Sequence, residues 1–172
     1  MPEQNSSISS FNRFLFRILL PLIVITGVAG VVFNYFFEKD IVLGNQGCGA
    51  AKVNRIITKT YPDEIPIFGS SRAESGMLPD SLGPNFFNYG ISGTRYDVTL
   101  FFLDEECKKK KNTPWILLNL DLDGILSGLG DIGNYIPNSD YAPINKLLGT
   151  EDRTYFRVPF LKYYGRFETY LR

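Results

Sequence analysis

Histidine is missing from this chain altogether. Within the sequence, that excludes every Ser-His or Cys-His couple, any histidine-containing metal site, and imidazole as a base near neutral pH. Cysteine is almost as scarce: Cys48 and Cys107 are too few for a zinc site built from several cysteines, so neither a metal nor any other cofactor is called for. Net charge is missing too, with 18 Lys plus Arg against 18 Asp plus Glu. With Lys108 to Lys111 the only sustained basic run, the electrostatic footprint of a polyanion-binding protein is lacking, which argues against a dedicated nucleic-acid function. There is no internal repeat and no low-complexity tract, and 172 residues suffice for one domain. What chemistry remains must come from hydroxyls, carboxylates, backbone amides or residues supplied by another chain.

The most prominent feature present is the uncharged run from Ile18 to Phe37, ILLPLIVITGVAGVVFNYFF. As a helix it matches a hydrocarbon core of about 30 Å. A buried core helix would rarely be apolar on every face over that length, and a cleaved signal peptide would have a shorter apolar region ending in small residues. This run ends instead in Phe33, Asn34, Tyr35, Phe36 and Phe37, a pattern like an interfacial aromatic belt. It reads as a retained transmembrane helix. Arg13 and Arg17 precede it, while Glu38, Lys39 and Asp40 follow, so the positive flank places the N-terminus in the cytoplasm and the rest outside a plasma (inner) membrane crossed once. Residues 1–40 are then a leader and anchor, with Pro2 to Ser10 having nothing to bury, and residues 41–172 form the extracytoplasmic domain.

In that domain, Cys48 to Tyr61 places Ala51, Val53, Ile56 and Ile57 among Lys52, Arg55 and Lys59, which predicts a short amphipathic helix ended by Pro62. Glu64 to Phe68 reads as a strand, with Pro66 a mark against a central place in a sheet. A second strand is expected over Phe86 to Tyr89. From Thr94 the period becomes helical, with Val98, Phe101, Phe102 and Leu103 inward and Thr94 and Asp97 able to form a capping pair. Asp104, Glu105 and Glu106 each stand four residues before a lysine, as exposed pairs do. Trp115 to Asp121, apolar throughout its start, looks like the best strand of the chain. Strand, helix and strand at this spacing imply a parallel sheet, hence an α/β fold.

Ligands of such sheets bind beyond the carboxyl ends of the strands, where this sequence has three polar, glycine-bearing turns: Gly69 to Arg72, Asn88 to Thr94 and Asp121 to Gly124. Ser71 is the candidate nucleophile, presented at the lip of the sheet beside helix-start amides that can stabilise an oxyanion. Gly93, having no side chain, lets its N–H approach the same oxygen. Asp123 is placed to orient or polarise a substrate group. Taken singly, each has an ordinary structural role, as a cap or a turn residue. Three in order, each closing an expected strand, carry more weight.

The series Gly69-Ser70-Ser71-Arg72, Asn88-Tyr89-Gly90-Ile91-Ser92-Gly93 and Trp115 through Asp123 resembles the first three blocks of the SGNH/GDSL hydrolase superfamily. It looks closest to the membrane-anchored branch associated with acylation of cell-surface polysaccharide or teichoic acid. The resemblance spans about residues 62 to 125 and implies a three-layer parallel-sheet domain in which Ser71 is the nucleophile, Gly93 the oxyanion-hole glycine and Asp123 the block-three residue. It further implies an acyl esterase or O-acyltransferase whose partners are a surface polysaccharide and an envelope acyl-donor protein. Ser70 stands where that superfamily commonly has aspartate. Asp123 replaces a hydrogen-bond-donating asparagine, and a carboxylate cannot donate unless protonated. The superfamily's Asp-x-x-His block is absent.

Two explanations fit that absence: the catalytic block lies beyond Arg172, or the protein has lost its base and serves as a binding or assembly module. The last residues, Phe156 to Arg172, run in an aromatic helix-like pattern without a cap or glycine stop, which favours the first. Ser127 to Thr150, rich in Gly, Asn, Pro and Tyr, reads as a surface loop over a cleft, able to contact sugars, or as a poorly ordered connection. Cys48 and Cys107 either pair in an oxidising compartment or leave Cys107 as a buried thiol on its helix.

Overall fold

A computed structural model describes residues 12–94, 96–120, 132–148 and 162–163. Helix α1 extends from Asn12 to Val42 and is long and apolar enough to cross a membrane. Its central part, Leu20–Phe36, is α-helical and is flanked by π-helical Leu15–Leu19 and Phe37–Val42. None of its most apolar window is covered by the rest of the chain, unlike a core helix. Its end meets a different environment. Phe37 and Val42 are buried in the domain core, and the Phe37 ring lies 5.4 Å from that of Tyr163. Glu38 Oε2 accepts hydrogen bonds from Lys162 Nζ and Tyr163 OH, both at 2.6 Å.

Helix α2, Gly49–Thr58, buries Ala50, Ala51, Val53 and Ile56 on one face, as its pattern predicts. It stops at Thr58, four residues short of Pro62. The Thr58 hydroxyl donates back to the Asn54 carbonyl at 2.7 Å and Lys59 is already extended, so a local side-chain bond ends the helix before the proline can.

Three parallel strands follow, β1 (Ile65–Phe68), β2 (Phe86–Asn88) and β3 (Leu117–Leu118), in the order β2-β1-β3. The fold is therefore α/β, with β1 central despite Pro66. The reason lies in the alternation of a parallel ladder. Ile65 N–H and Ile67 C=O bond toward β2, to Asn85 and Tyr89, whereas Phe68 C=O bonds toward β3, to Asn119. Pro66 accordingly faces the β3 side, where pairing begins only at Ile67. Its missing N–H costs no ladder bond.

Between β1 and β2 lie two short helices, α3 (Ser71–Gly76) and α4 (Pro79–Leu82). Helix α5, Tyr96–Cys107, connects β2 to β3 and buries Val98, Phe101 and Phe102 against β1, the Phe102 ring 5.8 Å from Phe68. At its start the Thr94 hydroxyl donates to the Ile91 carbonyl at 2.8 Å, and Asp97 accepts from the Val98 N–H at 3.0 Å.

Three expectations need correction here. First, of the acid–lysine pairs on α5, only Asp104–Lys108 keeps the i,i+4 spacing on an exposed face. Glu105 and Glu106 are buried; Glu105 pairs with Lys108 and accepts from Tyr141 OH at 2.9 Å, and Glu106 pairs with Lys109 and Lys111. A helix packed on two sides leaves these acids no solvent face. Second, β3 is the shortest strand, not the best, because Trp115 (69% exposed) and Leu120 (66% exposed) face outward on a sheet edge. Third, residues 132–148 are neither a loop nor a loose connection. They form a 3-10 helix, Ile132–Asn138, and helix α6, Ala142–Leu148, whose Tyr135, Ile136, Ile144 and Leu148 complete the core against α2 and α5.

Candidate functional site

Two of the three turns singled out in the sequence lie at the carboxyl ends of neighbouring strands, β1 and β2. Beyond β1 the chain passes through Gly69 and Ser70 into α3 at Ser71. Tyr89 N–H donates to Ile67 O at 2.8 Å and Ile91 N–H to Gly69 O at 3.2 Å, so the β2 turn lies directly beside the β1 turn. Ser71 and Gly93 thus follow the carboxyl ends of neighbouring strands. On the other side Asn119 N–H donates to Phe68 O at 2.9 Å. Asp121 and Asp123 lie outside the described residues.

Close packing explains two of the glycines. A Cβ on Gly69 would come within 2.7 Å of Ala73 Cβ and 2.9 Å of Asn119 Cβ. One on Gly90 would approach the backbone N of Glu74 at 2.6 Å. Gly93 has φ 74°, in the left-handed region that a glycine occupies without strain.

Side chains lock these turns together. Asn88 Nδ2 donates to the carbonyls of Ala73 (2.7 Å) and Met77 (2.8 Å), while its Oδ1 accepts from Gly90 N–H at 2.7 Å. Below it, Lys52 reaches up from α2. Its ammonium, on a residue only 5% exposed, donates to Gly90 O at 2.6 Å and to Glu74 Oε1 at 3.1 Å. The other oxygen of Glu74 accepts from Ser92 N–H at 2.9 Å and from the Ser92 hydroxyl. The Lys52–Glu74–Ser92 chain therefore clamps the β2 turn to α3.

A second cluster holds Tyr89. Its hydroxyl donates to Glu64 Oε1 at 2.7 Å and accepts from Arg55 Nε at 3.1 Å, and Arg55 also pairs with Glu64. The Arg55 guanidinium lies between the Tyr61 and Phe87 rings, 3.7 and 4.0 Å from their centroids. Burial, reinforced by Glu64, pushes the Tyr89 phenol far above its usual range. Burial alone would lower the Arg55 pKa, but Glu64 and Tyr89 more than offset it, and the guanidinium is held more firmly charged.

The Ser71 side chain is exposed, and no hydrogen bond engages its hydroxyl among the described residues. Helix α3 has only six residues, so any anion at its start is held by individual N–H groups more than by a macrodipole. The site consequently offers a presented hydroxyl and turn amides. Its nearby carboxylate, Glu74, is already committed to Lys52 and Ser92. Among the described residues no cluster of acids, cysteines or histidines could hold a metal. Both cysteines are free thiols, and Cys107 is exposed, since it closes α5 on the outer side.

No protein-family model matches the chain, and no curated protein or solved structure matches it significantly.

The sequence singled out Ser71 and Gly93, but not Lys52, Glu74 or Asn119. Lys52 sits beside Ala51 and Val53, and its place within the inward stripe of α2 was the available signal. Asn119, inside the apolar Trp115 to Asp121 run, was legible only as a polar residue in an otherwise buried-looking strand.

Proposed function

We propose that the chain is a membrane-anchored, SGNH-like domain for acyl chemistry at the cell surface, transferring an acyl group to a glycan or removing one. The observation that carries this reading is the placement of an exposed, unengaged Ser71 at the end of the central parallel strand, directly beside the glycine turn that ends β2. Ser71 attacks the acyl carbonyl, and its amide with that of Gly93 holds the oxyanion. A histidine from outside this sequence takes the proton. Helix α1 supplies the membrane anchor, with Arg13 and Arg17 on the cytoplasmic side.

A second reading, a non-catalytic envelope binding or assembly module with the same fold, is favoured by the clamp at Glu74, which among the described residues leaves Ser71 without a carboxylate partner. Labelling with a serine-directed phosphonate separates the two. Residues 1–172 alone should not label, because oxyanion donors without a base leave a residual acceleration of only about 10³ to 10⁴ over water. The gene sequence beyond codon 172 decides further: an Asp-x-x-His there, with labelling of the extended chain lost in Ser71→Ala, supports the enzyme, and an immediate stop codon supports the binding module. Labelling of residues 1–172 that survives Ser71→Ala but not Ser70→Ala would move the nucleophile to Ser70.

A further inference from the structure

A shallow polar depression of about 90 Å³ opens where α1 gives way to α2. Leu43 and Phe87 wall it, and Gln46, Asn54, Arg55 and Lys59 line it. That space is enough for a tetrahedral oxyanion. No carboxylate lines it. Among the described residues no side chain engages Lys59 Nζ, the amides of Asn54 and Gln46, or Arg55 Nη1, although Glu64 balances the Arg55 charge from behind. The lining therefore presents donors with no acceptor of their own, and with Lys59 it carries an uncompensated positive charge.

Position narrows the ligand. Leu43 follows the end of the uncharged run at Phe37 by six residues, and because Phe37–Val42 is π-helical, with a rise smaller than the α-helical value of about 1.5 Å per residue, it stands less than about 9 Å beyond the hydrocarbon edge. The headgroup layer occupies roughly 5 to 7 Å on each side of the core. The depression thus stands at the outer edge of that layer, within reach of the long Lys59 stem. We propose that it binds the phosphate of an anionic lipid headgroup. This rests on the membrane reading of α1.

The test uses the full chain in nanodiscs of phosphatidylcholine alone or mixed with phosphatidylglycerol. The anionic lipid should raise the Tm of the wild type by about 4 °C. Lys59→Gln and Asn54→Ala should each lose at least half of that rise. Lys39→Gln, which removes an exposed cation outside the depression, should retain it. Asn54→Ala is the decisive arm, since a neutral side chain contributes nothing to general surface attraction. An equal rise in all variants, or none in the wild type, overturns the proposal. A rise of the same size with glycerol phosphate added to phosphatidylcholine discs would keep the anion chemistry but overturn the lipid as its source. Flotation with phosphatidylcholine vesicles checks the anchor separately, and a chain that does not float overturns both the anchor and the lipid ligand while leaving the glycerol phosphate arm readable.

Discussion

An ammonium carried into a protein interior is tolerable only with its counter-charge and hydrogen bonds in place. Lys52 meets that condition through Glu74 and the Gly90 carbonyl, and those partners also fix the Ser92–Gly93 turn. Glu74→Ala should therefore destabilise the domain by about 3 to 5 kcal/mol in urea unfolding, because it strands the lysine. The double substitution Lys52→Met with Glu74→Leu should recover most of this, since an apolar pair of similar size needs no partner. A cost below about 1 kcal/mol for Glu74→Ala would mean that the ammonium escapes to water. In the sequence Lys52 reads like the cations around it, Arg55 and Lys59. Its place beside Ala51 and Val53 points inward, but the distant glutamate that makes its burial possible cannot be read from periodicity.

Elements with a strong period were legible: α2, β1, β2 and α5 form where the apolar spacing puts them. The pairing of β1 with β2 could also be anticipated, and with it that Ser71 and Gly93 follow the ends of neighbouring strands. The misreadings have a shared cause. Apolarity alone predicts burial for Trp115 to Asp121, yet an edge strand can leave such side chains uncovered, as Trp115 and Leu120 are. Polar composition predicts exposure for residues 132–148, yet Tyr135, Ile136, Ile144 and Leu148 are spaced irregularly enough to escape a helical or strand template while filling the core. Truncation distinguishes these cases. Ile136→Ala should lose about 2 to 5 kcal/mol, in line with a fully buried isoleucine, whereas Leu120→Ala should stay within about 0.5 kcal/mol of the wild type. A neutral Ile136→Ala would remove the 3-10 segment from the core.

On the scale of the whole molecule, the sequence shows an apolar helix followed by a domain but not how they join. The junction depends on residues more than a hundred positions apart, Glu38 with Lys162 and Tyr163, which local pattern cannot connect. Through that junction, and through Phe37 and Val42, the end of α1 belongs to the domain interior. In a bilayer such a helix works as an axle and not as a leash. If α1 spans a bilayer, the domain should spin about the membrane normal without bowing or swinging, and Ser71 should sweep an annulus at one elevation. A fluorophore on the exposed Cys107, in a Cys48→Ser background, should show time-resolved anisotropy that decays to a high plateau. A Gly-Ser insertion after Leu43 should collapse that plateau, and a low plateau without the insertion would restore the leash. On the proposed acyl-transfer reading, a molecule built this way would serve acceptors that come to its height and pass over those anchored nearer to or farther from the lipid surface.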